Sequence, residues 1–383
     1  MAVLSEKKIT RLEKLATPNS AYLKSLDKDT RRYMRILSTD FPTWLDDYIA
    51  TPEMQRLKFI DQVCGVYYLK KLYNYPTFYS VLDHSVACAL IVWNFTHDKK
   101  QTLAALFHDI STPAFKHCVD FLNGDAATQE STEAPTSEII GNSEKIVKLL
   151  KRDKIKVKQV ANYHDYPIAD NDSPRLASDR LEYSFMNCHK IHYETHFSLN
   201  EIERFYSALE IGKNEDGIEE ISFNSLKIAE DFCFNVSKIW HNWCDERYRI
   251  VGQAYADLLK IMVDKKELTV KSLYHLTEPE VIEKMKHSKI DRIKNDFAHF
   301  EKSTSVHKSD KKPRKKCYFV KEMPIKRRYI DPLVRTETNI DIRTGAEDHS
   351  YTRLSKISPR YQKIIDNFLS KKYKKYAYFD FNI

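Results

Sequence analysis

Apolar residues recur at three- and four-residue spacing through most of residues 1–300, and strand-like alternation is sparse. That is the period of helices with one buried face. The clearest segment is "LAALFHDISTPAFKH" (103–117), an apolar helical run that ends on His108 and Asp109. Asp98 followed by Gln101 gives it a capping start. Leu103, Leu106 and Phe107 then turn inward, and Pro113 marks the break beyond it. Upstream, "SVLDHSVACALIVW" sets His84 in another apolar helix. Downstream, Ser173 at an N-cap and Pro174 at the first helical position predict a helix running to about His189, with Asp179, Tyr183 and Asn187 near one face. Residues 123–142, rich in small and polar side chains, read as a loop. The stretch "KSTSVHKSDKKPRKK" (302–316) reads as a linker. Beyond it, "KCYFVKEM" and "KYAYFDFNI" are the best strand candidates. The expected architecture is an all-α core with a small mixed α+β, basic C-terminal region. Its parts are an N-terminal helical extension (1–45), a main domain (46–300) and the C-terminal region (301–383).

Composition narrows the chemistry. Seven glycines in 383 residues, with neither GxxxxGK nor GxGxxG, leave no glycine-rich phosphate loop. Phosphate binding, if it occurs, must use side chains and metal. The N-terminus lacks the apolar centre of a signal peptide, and no apolar run approaches the ~18–20 residues that span a bilayer. Seven cysteines, none in CxxC spacing, read as reduced thiols. A cytoplasmic protein without membrane contact is expected. The formal net charge of +8 is uneven: residues 301–383 carry a net +11, leaving −3 for the rest. A basic end on a near-neutral body fits an anionic partner, a nucleotide effector or nucleic acid, or else a solvated surface.

Three predicted helices thus supply His84, then His108 with Asp109, then Asp179. Alone, each has an ordinary reading as a core histidine or a surface carboxylate. Together they form a mixed nitrogen and oxygen set suited to a divalent ion such as Mn, Fe, Mg or Zn.

The ordered H…HD…D pattern resembles the HD-domain phosphohydrolases, and within them the deoxynucleoside triphosphate triphosphohydrolases of the SAM-and-HD-domain type. "TPEMQRLKFIDQVCGVYYL" (51–69) is similar to the segment before that family's first histidine, and "SDRLEYSFMN" (178–187) to its last-ligand helix. The resemblance spans roughly residues 46–260. It implies an all-helical HD core, a homo-oligomer, a nucleotide substrate, and His84, His108, Asp109 and Asp179 as metal ligands. It also implies phosphate contact and catalysis for His117 and Asp120, sugar contacts for Gln62 and Tyr183, and phosphate contact for Arg180. The chain departs from the family at Thr112, where a second histidine is usual, and at Val81, where an arginine is usual. Asn187 stands where aspartate is common, and "TQESTE" (128–133) where another catalytic histidine is expected. His117, Asp120, Glu130 and Glu133 are the remaining acid–base candidates, with Lys116, Arg180 or Arg56 to neutralise phosphate charge. His164, in a second His-Asp doublet, is either a pocket or a loop residue; His189 and His192 read as surface or helix-end residues. "IWHNWCDERYR" (239–249) fits a base pocket or simple helix packing. The resemblance thus implies hydrolysis of nucleotides as the expected chemistry, with a phosphodiesterase or nuclease, or a nucleotide-binding regulator, as alternatives.

Overall fold

The computed structural model describes residues 19–73, 77–125, 131–132, 135–191, 195–313, 317–321, 326–340 and 347–380. Among these, helices dominate, and the helix Val81–Thr96 lies at the centre of the packing. Eleven of its sixteen residues are buried, His84 among them, so it is apolar on all sides rather than amphipathic. Ser80 caps it by accepting the Asp83 N–H, and His97 ends it in the left-handed conformation. The helix Lys99–Phe107 packs against it, started by Asp98, whose carboxylate accepts the Lys100 and Gln101 N–H groups. The long helix Glu246–Asp264 covers the short helix Cys118–Leu122.

The fold is not the all-α core that the periodicity suggested. A four-stranded mixed sheet, curled into a half-barrel, is built from β1 (Leu209–Lys213), β2 (Glu219–Phe223), β5 (Leu333–Ile340) and β6 (Glu347–Arg353). Its order is β1-β2-β5-β6, antiparallel except for the parallel β2–β5 pair. Two strands therefore come from before residue 300 and two from after it, so the C-terminal region completes a sheet begun in the main body. Arg353 fastens this join from β6, giving Nη1 to Glu220 Oε1 of β2 at 2.6 Å and Nη2 to Glu215 Oε2 at 2.9 Å. A second, three-stranded antiparallel sheet has β7 (Tyr376–Tyr378) between β3 (His307–Ser309) and β4 (Phe319–Lys321). β4 and β7 fall within the two expected strands, and β3 lies within the stretch read as a linker.

Two local readings also change. The helix expected from Ser173 begins instead at Ser178, with Ala177 as its N-cap. Ser173–Pro174 is a cis peptide in the preceding turn, and Ser178 is anchored by its N–H to Ile168 O and its hydroxyl to Ala169 O. The helix runs to Met186 and continues as a π-helical turn, Asn187–Ile191. Within 123–142, Thr136–Asn142 is helical.

Candidate metal site and cleft

The ends of three helices meet at the floor of a cleft of about 580 Å³. His84 Nε2 lies 3.2 Å from His108 Nε2, 3.1 Å from Asp179 Oδ1 and 4.0 Å from Asp109 Oδ2. His108 Nε2 is 3.7 Å from Asp109 Oδ2 and 3.9 Å from Asp179 Oδ1. Ligand atoms around an ion at bonds of about 2.1 Å sit roughly 3–3.5 Å apart, so this set needs only slight contraction.

The hydrogen bonds of the two imidazoles sharpen the point. His108 Nδ1 lies 2.7 Å from the Ala105 carbonyl, which can only accept, so that nitrogen carries a proton. His84 Nδ1 contacts Glu182 Oε2, and the other oxygen of this fully buried carboxylate accepts the Tyr33 and Tyr79 hydroxyls. With both Nδ1 atoms engaged behind them, the two Nε2 atoms face each other, the geometry in which each would offer a lone pair to a cation held between them. Burial would lower the His84 pKa, but Cys88, Glu182 and the hydrogen bond to Asp179 raise it well above the ordinary histidine value, so a bound cation would take the place of a proton on that ring. A carbonyl or carboxylate behind a ligating histidine is the usual means of orienting it.

Cys88, one helical turn after His84, was not foreseen. His84, Cys88, His108 and Asp179 form a group that could hold a metal ion. Sγ lies 3.8 Å from both ring nitrogens of His84, however, and so sits off the Nε2 lone-pair axis. Burial pushes this thiol up to about 12, which disfavours the thiolate a metal requires. Asp109 is the better fourth donor. Burial would raise its pKa, but Lys116 and the two imidazoles hold it well below the usual carboxylate range. Asp179 is likewise held low against its burial, by a hydrogen bond from His84 and by both imidazoles.

The cleft also gathers much of the remaining set. Lys116 Nζ bridges Asp109 Oδ2 at 3.1 Å and Gln62 Oε1 at 3.0 Å. Thr112 donates its hydroxyl to Asp109 Oδ1 at 2.9 Å. Arg56 donates to the Thr112 and Leu276 carbonyls, which makes it a brace for the backbone behind the site. His117 lines the cleft with Nδ1 2.9 Å from Asp120 Oδ2, while Asp120 Oδ1 accepts from Ser131 and Thr132. Burial lowers the His117 pKa, the Asp120 bond opposes the shift, and Arg328 and Lys116 add to it. Across the cleft His164 Nδ1 lies 3.1 Å from Asp170 Oδ2, a second imidazole–carboxylate dyad. Tyr183 meets Trp243 edge-on, and Asn187 Nδ2 caps the Tyr183 carbonyl at 2.5 Å.

Other candidates fare differently. Arg180 lines the cleft, but its guanidinium is engaged by the Arg175 carbonyl, by Asn171 and by Asp170, so its charge is largely met by protein. His189 donates from Nδ1 to the Phe197 carbonyl, away from the cleft lining. Glu130, Glu133 and His192 lie outside the described residues. Sequence reasoning missed Glu182, although it follows Asp179 by three residues on the same helix. It also missed Arg328, which enters the cleft from the C-terminal region.

No family model matches the sequence. The chain is 24% identical over 166 residues to the uncharacterized protein YdhJ of Bacillus subtilis (strain 168), covering 43% of this chain and 48% of that protein. It thus spans about half the length of the relative it matches. A crystal structure of a hypothetical protein from Aquifex aeolicus has a similar fold, with a TM-score of 0.57 at 16% identity, covering 89% of this chain and 93% of the other. Fold and site together define a helical protein with a curled mixed sheet and a His/Asp-floored cleft. Among the described residues no helix is long and apolar enough to cross a membrane.

Proposed function

We propose that this chain is a divalent-metal-dependent phosphohydrolase of the HD type acting on nucleotides, with deoxynucleoside triphosphates as the favoured class. The observation that carries the reading is the convergence of His84, His108, Asp109 and Asp179 beside Lys116 and His117 in one cleft. A bound divalent ion would polarise a phosphoryl oxygen and acidify water. Lys116 and Arg328 supply the positive charge that a polyphosphate chain needs, in place of a glycine-rich loop. His117, kept neutral by burial and oriented by Asp120, accepts the proton of the attacking water. Tyr183 and Trp243 offer an apolar wall for the sugar and base.

The test is incubation of the purified chain with Mn or Mg and a panel of dNTPs, NTPs, dinucleotides and labelled single strands. Inorganic triphosphate plus nucleoside supports the reading. The run Lys326–Arg328 along the cleft favours one alternative, a phosphodiesterase that tracks an oligonucleotide backbone. Shortened strands with intact dNTPs would select it, and tight binding without products would select a nucleotide-binding regulator.

A further inference from the structure

Lys116 is nearly buried and stands on unusual backbone. Phe115 and Lys116 have φ of +68° and +47°, a left-handed pair without glycine. Non-glycine residues in this region are strained and persist only where their surroundings hold them. Contacts on both sides of Phe115 do so. Glu278, wholly buried at the start of the helix Glu278–Lys286, accepts the Phe115 N–H through Oε1 at 3.1 Å. Its Oε2 accepts the Asp61 N–H at 2.9 Å, on the residue before Gln62. The Phe115 ring rests on Gly65, where a Cβ would meet it at 2.4 Å, and stacks on Tyr255 at 4.4 Å. One carboxylate therefore fixes the two segments that deliver Gln62 and Lys116, and these two side chains meet each other at 3.0 Å.

We infer that Glu278 is a positioning residue: by clamping the Asp61–Gln62 and Phe115–Lys116 backbones together it holds the Lys116 ammonium against Asp109 and over the substrate's phosphates. The catalytic consequence rests on the proposed phosphohydrolase reading; the clamp itself rests on the geometry alone. Glu278 lines no part of the cleft, so its effect must pass through the residues it holds.

The experiment pairs a mutant cycle with a readout that needs no turnover. Glu278→Gln keeps one acceptor oxygen and loses the other. On the full chain it should lower kcat by about 10²-fold through misplacement of Lys116. In a Lys116→Ala background the same change should cost almost nothing, because coupled residues do not add. Separately, acetylation of Lys116 by acetic anhydride, read by mass spectrometry, should speed up about tenfold in Glu278→Gln as the clamp opens. Surface lysines should label as before. Gly65→Ala, which displaces Phe115 from the opposite side, should produce the same two effects if Glu278→Gln fails to fold. An additive loss in the cycle, or unchanged labelling of Lys116 in a folded variant, overturns the inference. If the wild type turns over nothing on the panel, the function reading falls and the labelling alone decides the clamp.

Discussion

Glu182 accepts a hydrogen bond from His84 Nδ1, and it does so from the same helix that carries Asp179, one turn further on. The helix Ser178–Met186 thus presents one carboxylate to the ion position and another to the histidine that shares it. Glu182→Gln should keep the fold, because the amide oxygen can still accept from His84, yet should weaken Mn or Zn affinity by about 10–100-fold. Asp109→Ala and His108→Ala should lose the ion, whereas Cys88→Ser should retain it. Elemental analysis after equilibrium dialysis checks all four. Loss of metal in Cys88→Ser equal to that in Asp109→Ala would make the thiol, not the carboxylate, the fourth ligand.

The pH dependence of hydrolysis should report His117. Its pKa lies below the ordinary histidine value, chiefly through burial, so it is neutral and able to accept a proton at neutral pH. Activity should therefore hold above that pKa and fall as pH drops through it. His117→Ala should keep its metal and lose about 10²-fold or more in kcat. Asp120→Asn removes the bond that raises the His117 pKa, so the acidic limb should move to lower pH while kcat falls less. A limb that stays in place in Asp120→Asn would assign it to another group, with His164 the next to test.

Much of this site is legible in the sequence because it is local. His108 and Asp109 are neighbours at a helix end, and Asp179 opens a helix whose periodicity is plain. The sheet was legible only in part. The turn between β1 and β2 has Asn214 accepting the Asp216 and Ile218 N–H groups and Gly217 at φ +76°, so "NEDG" carried a hairpin signal. Its flanks, "LEIGK" and "EEISF", are short and mix buried with exposed positions, and the surrounding helical period masked them. The β2–β5 pairing joins Ser222 to Leu333, a contact of long sequence separation that no local pattern encodes. Glu182 and Glu278 were missed for a related reason. A buried carboxylate looks like a surface one until its partners, His84 in one case and the Asp61 and Phe115 backbones in the other, are brought to it.

The C-terminal region should matter to substrate binding through Arg328. It reaches the cleft that holds His117, and its charge contributes to lowering the pKa of that imidazole. Arg328→Ala should raise KM for a triphosphate by about tenfold with little change in kcat, and added salt should shrink the difference between variant and wild type. A fall in kcat at unchanged KM would instead place Arg328 on the transition state. Charge reversal at Lys371 and Lys372, exposed and outside the cleft lining, should leave KM unchanged and so separates this local effect from the overall basic charge.

The clamp around Lys116 has a stability cost that can be measured. Asp61 is buried beside Glu278, and burial raises its pKa to about 7 despite opposing hydrogen bonds from the Tyr67 and Val63 backbone and attraction from Lys116. In the unfolded chain an aspartate titrates near ~3.9, so between these values the folded state binds more protons than the unfolded one. Stability from this group is therefore greatest at the acid end of that window, falls as pH rises towards 7, and stays lower above it. Asp61→Asn cannot ionise, and its amide oxygen can still accept the Tyr67 N–H that Asp61 Oδ2 receives at 3.1 Å. The variant should already unfold a little above the wild-type temperature at pH 5, about one unit past the unfolded pKa, and by a clearly wider margin at pH 8, where the difference reaches a few kcal/mol at ~1.4 kcal/mol per pKa unit. Thermal denaturation at the two pH values checks it. A variant less stable than wild type at pH 8 would mean that the ionised Asp61 is held by Lys116, and that the attraction between them outweighs the burial.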